Sequence, residues 1–368
     1  MILHASSSLI KLIKPNSAPS TKPKKSKKMP TKILVTGGTG YIGSHTVVEL
    51  QQAGYEVVII DNLSNSNREV LKGIEAITGI APVFVEGDCT DLDTLKNLFE
   101  QNPGIKGIIN FAASKAVGES VQKPLLYYHN NLTTLINLLD CMPQYGVKGI
   151  VFSSSCTVYG EPDVNPIDET APIKPATSPY GNTKQISEEI ITDYIASGAP
   201  IKSIILRYFN PIGAHPSAKI GELPLGVPQN LVPYLTQTAA GIRKELTVFG
   251  DDYNTPDGSC IRDYIDVVDL AKAHVVAMKR MLDGQDTDQI EIFNLGTGRG
   301  VSVLELINTF EKATGVPVPH KIGPRRAGDI EKIWAIPDKA NNVLGWTAEV
   351  PIDQTLANAW RWQCTLSK

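Results

Sequence analysis

Two side chains able to move a proton stand four residues apart in Ser178-Pro179-Tyr180-Gly181-Asn182-Thr183-Lys184. Ser178 is a good helix N-cap and Pro179 suits a first helical turn, so the spacing predicts Tyr180 and Lys184 on one helical face, one turn apart. An ammonium group there favours the phenolate. It is expected to pull Tyr180 down from the ordinary phenol value of ~10, making a general base for a sugar or alcohol hydroxyl. Tyr-x-x-x-Lys is common by chance, however, and a solvated lysine beside a half-buried tyrosine satisfies it equally well. Its meaning depends on the rest of the chain.

A second pattern occupies Ile33-Leu34-Val35-Thr36-Gly37-Gly38-Thr39-Gly40-Tyr41-Ile42-Gly43. The apolar, β-branched run predicts a buried strand, and a helical pattern follows from Ser44 to Gln52. Gly37, Gly40 and Gly43 permit a tight turn in which backbone approaches a pyrophosphate at the helix N-terminus, where free N–H groups and the dipole favour an anion. A further apolar run, Glu56-Val57-Val58-Ile59-Ile60, ends at Asp61, eighteen residues after Gly43. An acid there accepts from ribose hydroxyls and repels a 2′-phosphate, which favours NAD over NADP. A glycine triplet alone marks many βα turns. Strand, triplet, helix, strand and terminal acid in this order point to a dinucleotide site.

Such a site needs a sheet to carry it. Strand-like runs recur at 32–36, 57–61, 83–86, 107–111, 149–153 and 202–206, with helical patterns between them, among them 92–101, 124–142 and 185–197. This βαβ rhythm predicts an α/β fold with a doubly wound parallel Rossmann-type sheet. After Asn210 the loops lengthen and gain Pro and Gly, as at 221–228 and 251–259, with helical patterns at 232–241, 267–282 and 303–314. The expected division is a disordered basic extension over 1–30 and an NAD-binding domain over 31–210. A smaller α/β substrate-binding lobe then covers most of 211–368, with some of its segments crossing back to the first domain.

Composition narrows the classes. The 368 residues are 42% hydrophobic and 20% charged, enough for one large or two modest cores. No apolar run approaches the ~18 residues that cross a bilayer. Five cysteines, at 89, 141, 156, 260 and 364, are widely spaced without C-x-x-C or a His/Cys cluster, so neither structural zinc nor a disulfide framework is expected and a cytoplasmic setting fits. Seven lysines and no acid lie in residues 1–28, where a start at Met29 is an alternative. Against a whole-chain net charge of -3, removing those seven positive charges leaves -10, so the remainder offers nothing to nucleic acid.

The glycine-rich segment, continued by Ser44-His45, together with Tyr180 and Lys184 resembles the extended short-chain dehydrogenase/reductases and, within them, the UDP-glucose 4-epimerases. The segments 115–120 (KAVGES), 152–160 (FSSSCTVYG), 207–216 (RYFNPIGAHP), 262–267 (RDYIDV) and 324–329 (PRRAGD) carry the match, which runs from Lys32 to Trp362. The resemblance implies interconversion of UDP-galactose and UDP-glucose through a transient 4-keto sugar with NAD retained. Tyr180 would be the base, Ser155 its relay, Lys184 its electrostatic partner and Thr157 a lesser helper. For the cofactor it implies Gly37, Gly40, Tyr41, Ile42, Gly43, Asp61, Asn62, Asn65 and Asp88, then Phe111, Ala112, Ala113, Lys115, Asn130 and Phe209. For the nucleotide sugar it implies Arg262 and Arg326 at the diphosphate, Asp329 at the uridine ribose, Asn210, Asn230 and Leu231 along the ligand, and Phe249 near the uracil. No metal is implied. Family members often pair through two long helices, so a homodimer is expected.

Two positions refine this reading. Related dehydratases carry an acid where Cys156 stands, so water elimination lacks an acid/base pair here. Ile333, four residues after Asp329, replaces the bulky tyrosine of narrow-specificity relatives or the small residue of broad ones, which implies weak acceptance of N-acetylated UDP-hexosamines. Two alternatives stay open at this point: an epimerase or reductase acting on another nucleotide sugar, such as a UDP-uronate, and a non-catalytic NAD-sensing protein on the same scaffold.

Overall fold

In the computed structural model, which describes residues 30–326 and 329–366, the apolar runs become strands whose two faces are both covered. The first half alternates β1 (Lys32–Thr36), α1 (Tyr41–Gln52), β2 (Glu56–Asp61), α2 (Glu69–Thr78), β3 (Val83–Glu86), α3 (Leu92–Gln101) and β4 (Ile105–Asn110). It continues through α4 (Val117–Gln122), α5 (Pro124–Gln144), β5 (Gly149–Ser155), α6 (Pro179–Ala196) and β6 (Lys202–Tyr208). The second half holds β7 (Asn210–Ile212), α7 (Leu231–Ala239), β8 (Leu246–Phe249), β9 (Ile261–Arg262), β10 (Tyr264–Asp266), α8 (Val267–Leu282) and β11 (Ile290–Leu295). It ends with β12 (Val301–Ser302), α9 (Val303–Thr314), β13 (His320–Gly323), β14 (Lys332–Ile333) and α10 (Ile352–Leu366). The basic segment 1–28, Met29, and Ala327 and Gly328 of the motif before Asp329 lie outside the described residues.

Seven parallel strands form one sheet in the order β11-β6-β5-β4-β1-β2-β3. Alternation of side chains sends Ile33, Val35, Ile59, Val151 and Leu206 to one face, where α1 and α8 cover them through Val47, Leu270 and Met278. Leu34, Val58, Ile108, Ile150 and Ile205 point the other way, onto Leu95 of α3, Leu135 of α5 and Ile191 of α6. Late segments therefore complete this unit: α8 packs on α1, and β11 pairs with β6 from Ser203 to Tyr208. A third core joins α7, β8, β10, α9 and α10 around Leu235, Val248, Tyr264, Phe310 and Leu356. No helix among the described residues is long and apolar enough to cross a membrane, and among them no cluster of metal-ligating side chains occurs.

Strand order places β1 and β4 side by side while their following helices cover opposite faces, which opens a crevice beyond the strands' carboxyl ends. The turn after β1 needs its glycines. Gly37 has φ +68°, and a Cβ on Gly43 would stand 2.2 Å from the Gly37 carbonyl oxygen. Replacing Gly43 with Ala should therefore force the turn apart, destabilise the fold by about 2 kcal/mol and lower retained nucleotide. Thermal unfolding, with nucleotide extracted from the denatured protein, checks this; an unchanged melting temperature and nucleotide content would contradict it.

Candidate active site

The helix carrying the two proton-active side chains begins as its sequence dictates. Ser178 Oγ accepts from the Gly181 N–H at 3.1 Å and Pro179 occupies the first turn, so Tyr180 and Lys184 share the face of α6 that lies on the sheet. Both are buried, 8% and 5% exposed. Lys184 Nζ donates to the Ser153 carbonyl oxygen at 2.7 Å and lies 5.8 Å from the Tyr180 ring centroid. Ser155 ends β5, and its Oγ accepts from the Thr157 N–H at 3.2 Å, starting the short 3-10 turn Cys156–Tyr159. Thr157 Oγ1 is buried without a protein partner. These four residues gather at the carboxyl end of β5.

One electrostatic expectation is overturned. Tyr180 is raised well above the ordinary phenol range, first by burial and then by the neighbouring Tyr208, while a hydrogen bond with Ser155 offsets part of the effect. Burial outweighs any lowering by the ammonium, whose Nζ donates to the Ser153 carbonyl. Burial also lowers Lys184, from 10.5 to about 8, with the Glu188 carboxylate acting against it. Spacing sets which face a residue occupies but not how dry that face is.

The expected cofactor residues line the carboxyl ends of successive strands. Gly40 is the N-cap of α1, with no side-chain cap and no acid in the first turn, so the helix N-terminus keeps its positive end for an anion. Ile42 packs on the core beneath it. Asp61 ends β2 and accepts from the Thr39 N–H at 3.1 Å, the Leu63 N–H at 2.9 Å and Ser66 Oγ at 3.2 Å, tying the glycine turn to the next strand. Asn62 Nδ2 donates to Asp88 at 2.9 Å, while Asn65 is exposed in the following turn. Burial pushes the Asp88 carboxyl up, but hydrogen bonds from Thr90 and Asn62 outweigh it and hold the group below its ordinary value.

After β4, the Phe111 ring lies 4.6 Å from that of His274, Ala112 N–H donates to Thr36 Oγ1 at 3.2 Å, and Ala113 is half-buried. Asn130 Nδ2 donates to Ser114 Oγ at 3.1 Å. Tyr41 Oη donates to the Gly213 carbonyl at 2.7 Å, and Lys115 Nζ stands 6.0 Å from the Tyr41 ring. The cradle fits a dinucleotide: a bare helix N-terminus for the pyrophosphate and an acid at the end of β2 for the ribose.

The expected nucleotide-sugar residues form two groups. Arg262 and Ile333 are register partners in the β9–β14 pair. Ile333, 2% exposed, packs with Cys156, Tyr159 and Phe209 in one apolar cluster, which joins it to the turn carrying Ser155 and Thr157. Asn210 begins β7, opposite Tyr264. In the second group, Arg326 donates to both oxygens of Asp329, the shortest contact being 2.7 Å, and lies 5.3 Å from the Phe249 ring. These two residues, each expected on the nucleotide, engage each other. Asn230 precedes α7, whose first residue is the half-buried Leu231, and its Nδ2 donates to Glu222 at 2.6 Å.

Several organising residues escaped the sequence reading. Glu222 also stands 3.7 Å from Lys115, joining a cofactor-side loop to Asn230. Asp263 is fully buried and accepts from Thr297 N–H and Oγ1 through one oxygen and from the Gly298 and Ala335 N–H groups through the other. It thereby fixes the strand holding Arg262 against the segment after Ile333. Its place in Arg-Asp-Tyr was visible, but a buried acceptor looks like any surface acid in sequence. Glu188 had a readable signal, since it follows Lys184 by one further helical turn.

Residues 33–296 match the model of the NAD dependent epimerase/dehydratase family. UDP-glucose 4-epimerase of Bacillus subtilis is 51% identical over 331 residues, spanning 90% of this chain and 96% of that protein. The human UDP-glucose 4-epimerase is 48% identical over 341 residues, spanning 91% and 97%. Among solved structures, UDP-glucose 4-epimerase from Stenotrophomonas maltophila, with bound NAD and formylated UDP-arabinopyranose, superposes with TM-score 0.88 at 48% identity over 92% of this chain and 99% of that one. The Bifidobacterium longum enzyme, in complex with NAD+ and UDP, gives 0.87 at 47% identity over 91% and 98%. With its glycine turn, strand-end acid and buried Tyr180–Lys184 face in this setting, the chain belongs to the NAD-dependent epimerase/dehydratase family.

Proposed function

We propose that the site interconverts UDP-galactose and UDP-glucose by transient oxidation at the sugar C4, with NAD retained through turnover. The observation that carries this reading is the burial of Tyr180 and Lys184 beside Ser155, at the end of the strand flanking the dinucleotide crevice. The glycine turn, Asp61, Asp88 and Lys115 would hold NAD. When bound, NAD supplies a reversible hydride acceptor at C4 and a positive charge beside the phenol. Tyr180 Oη takes the proton of the sugar 4-OH, with Ser155 Oγ as relay, and returns it to the opposite hydroxyl when the ketone is reduced. Lys184 supports the phenolate. Arg262 and Arg326 neutralise the diphosphate bidentately, Arg326 exchanging Asp329 for the nucleotide. Phe209 and Ile333, in one apolar cluster, would give the 4-keto ring an apolar neighbour on that side, so that the ring could turn and present either face.

By the same reading, residues 31–210 form the NAD-binding domain, 211–368 mainly the substrate lobe, and two copies pair in the cytoplasm through α5 and α6.

Incubation with UDP-galactose without added NAD should yield UDP-glucose, and Tyr180→Phe should lose about 10³-fold in kcat while keeping its fold. An active Tyr180→Phe variant would remove the phenol from the mechanism. The pH profile follows from Lys184: the group is charged below about 8 and neutral above it, so its support for the phenolate is present at low pH and lost as pH rises. A descending limb of kcat/KM near pH 8 is expected, whereas a limb near the ordinary lysine value would contradict the burial account. Ile333 sets the room beside the sugar 2-position, so UDP-N-acetylglucosamine should turn over weakly, faster in Ile333→Ser and not at all in Ile333→Tyr. Parallel rates on the two sugars decide this; equal efficiency in the unaltered protein would count against it.

A further inference from the structure

Beneath the proton-active face, a buried ionic network ties together the elements that carry it. Glu188 lies one helical turn beyond Lys184 on α6 and is 9% exposed. One of its oxygens accepts from Ser154 Oγ at 2.5 Å and from Arg207 Nε at 3.0 Å, and the other accepts from Arg207 Nη2 at 2.6 Å. Arg207 Nη1 donates in turn to Tyr159 Oη at 3.0 Å, and Tyr159 Oη to Asn294 Oδ1 at 2.7 Å. One carboxylate therefore fastens α6 to β5 at the residue before Ser155, to β6, and to the turn that carries Thr157. Strand alternation explains the arrangement: Ser154 faces Glu188, while Ser153 turns its side chain to Tyr208 at 2.7 Å and its carbonyl receives Lys184.

We propose that Glu188 is a positioning residue for the proton-transfer pair, fixing the register of α6 on β5 and supplying the negative charge that keeps the buried Lys184 protonated during turnover. The proposal rests on the Tyr180–Lys184 reaction described above and extends it to a group that touches neither substrate nor cofactor. Two observations separate this from a purely structural ion pair. The bonds of Glu188 and Lys184 land on adjacent residues of one strand, Ser154 and Ser153, so a shift of the helix breaks both together. Of the groups around the pair, Tyr127 on α5, Tyr208 on β6 and Cys156 in the turn after β5 are all raised by burial and uncharged, and the Phe152 ring lies 5.0 Å from Lys184 Nζ. The Glu188 carboxylate is the charge that acts on Lys184 against its burial, and the Arg207 guanidinium on β6, the other charged group in the network, is paired with that carboxylate.

The sign of the effect is fixed. Removing the carboxylate favours neutral Lys184, so the alkaline limb of the rate profile must move to lower pH. The holoenzyme and two variants, Glu188→Gln and the pair Glu188→Gln/Arg207→Met, are measured on UDP-galactose across pH 6 to 10, with bound NAD and thermal unfolding recorded for each. The double variant leaves no unpaired guanidinium in the interior and so keeps the test readable where the single variant folds poorly; it removes the Arg207 positive charge as well, so its limb moves less. The expected result is a descending limb about one pH unit lower in Glu188→Gln and a smaller fall in Glu188→Gln/Arg207→Met, with NAD still bound. A folded variant whose limb stays at the wild-type pH, with activity loss following only the melting temperature, would overturn the positioning role and leave the epimerase reading standing. A wild type without turnover would overturn the reaction reading, and this proposal with it.

Discussion

An ammonium group held out of water, on the carbonyl of Ser153, is the constraint around which the rest of the site is arranged. Withdrawing such an ion from solvent costs on the order of several kcal/mol, so the structure must supply compensating polar contacts. The contacts come from three directions. The β5 backbone offers a carbonyl, Phe152 offers a ring face, and Glu188 offers charge from one turn along the helix. Each depends on α6 lying in one register on the sheet, which the Glu188–Arg207 pair holds in the middle of the helix, while the Ser178 cap sets where the helix starts. Burial is also what makes the pair responsive. A lysine lowered to about 8 and a tyrosine raised by its dry surroundings both stand ready to shift when a charged ligand enters.

The remainder divides by burial. Around the proton-active face, polar groups are paired within the protein: Asp263 with four donors, Glu188 with Ser154 and Arg207, Asp61 with the glycine turn. The nucleotide end is different. Arg326 is 54% exposed and bound to Asp329 three residues away, an arrangement that a diphosphate can displace at small cost. A fixed interior beside an exchangeable rim suits a reaction in which the chemistry stays put while the substrate comes and goes.

Much of this was legible in the chain. The cap at Ser178 and the proline after it placed α6, and the order of strand, glycines, helix and Asp61 placed the crevice, because these signals are local. Pairings between distant segments were not. The position of β11 beside β6 joins residues about ninety apart and leaves no trace in either strand's own pattern. Desolvation was equally hidden, which is why the Tyr180 expectation failed while the Tyr180 position held. Arg326 and Asp329 show a third limit: a motif identifies residues suited to a ligand without revealing that, at a separation of three, they suit each other.

The most direct test of the central claim follows one hydrogen atom. If the buried Tyr180–Lys184 face moves only the hydroxyl proton and the C4 hydrogen leaves and returns inside a closed site, UDP-galactose deuterated at C4 should give UDP-glucose with the deuterium still at C4 in ordinary water. Loss of that label to solvent, or incorporation of solvent hydrogen at C4 without it, would contradict the account.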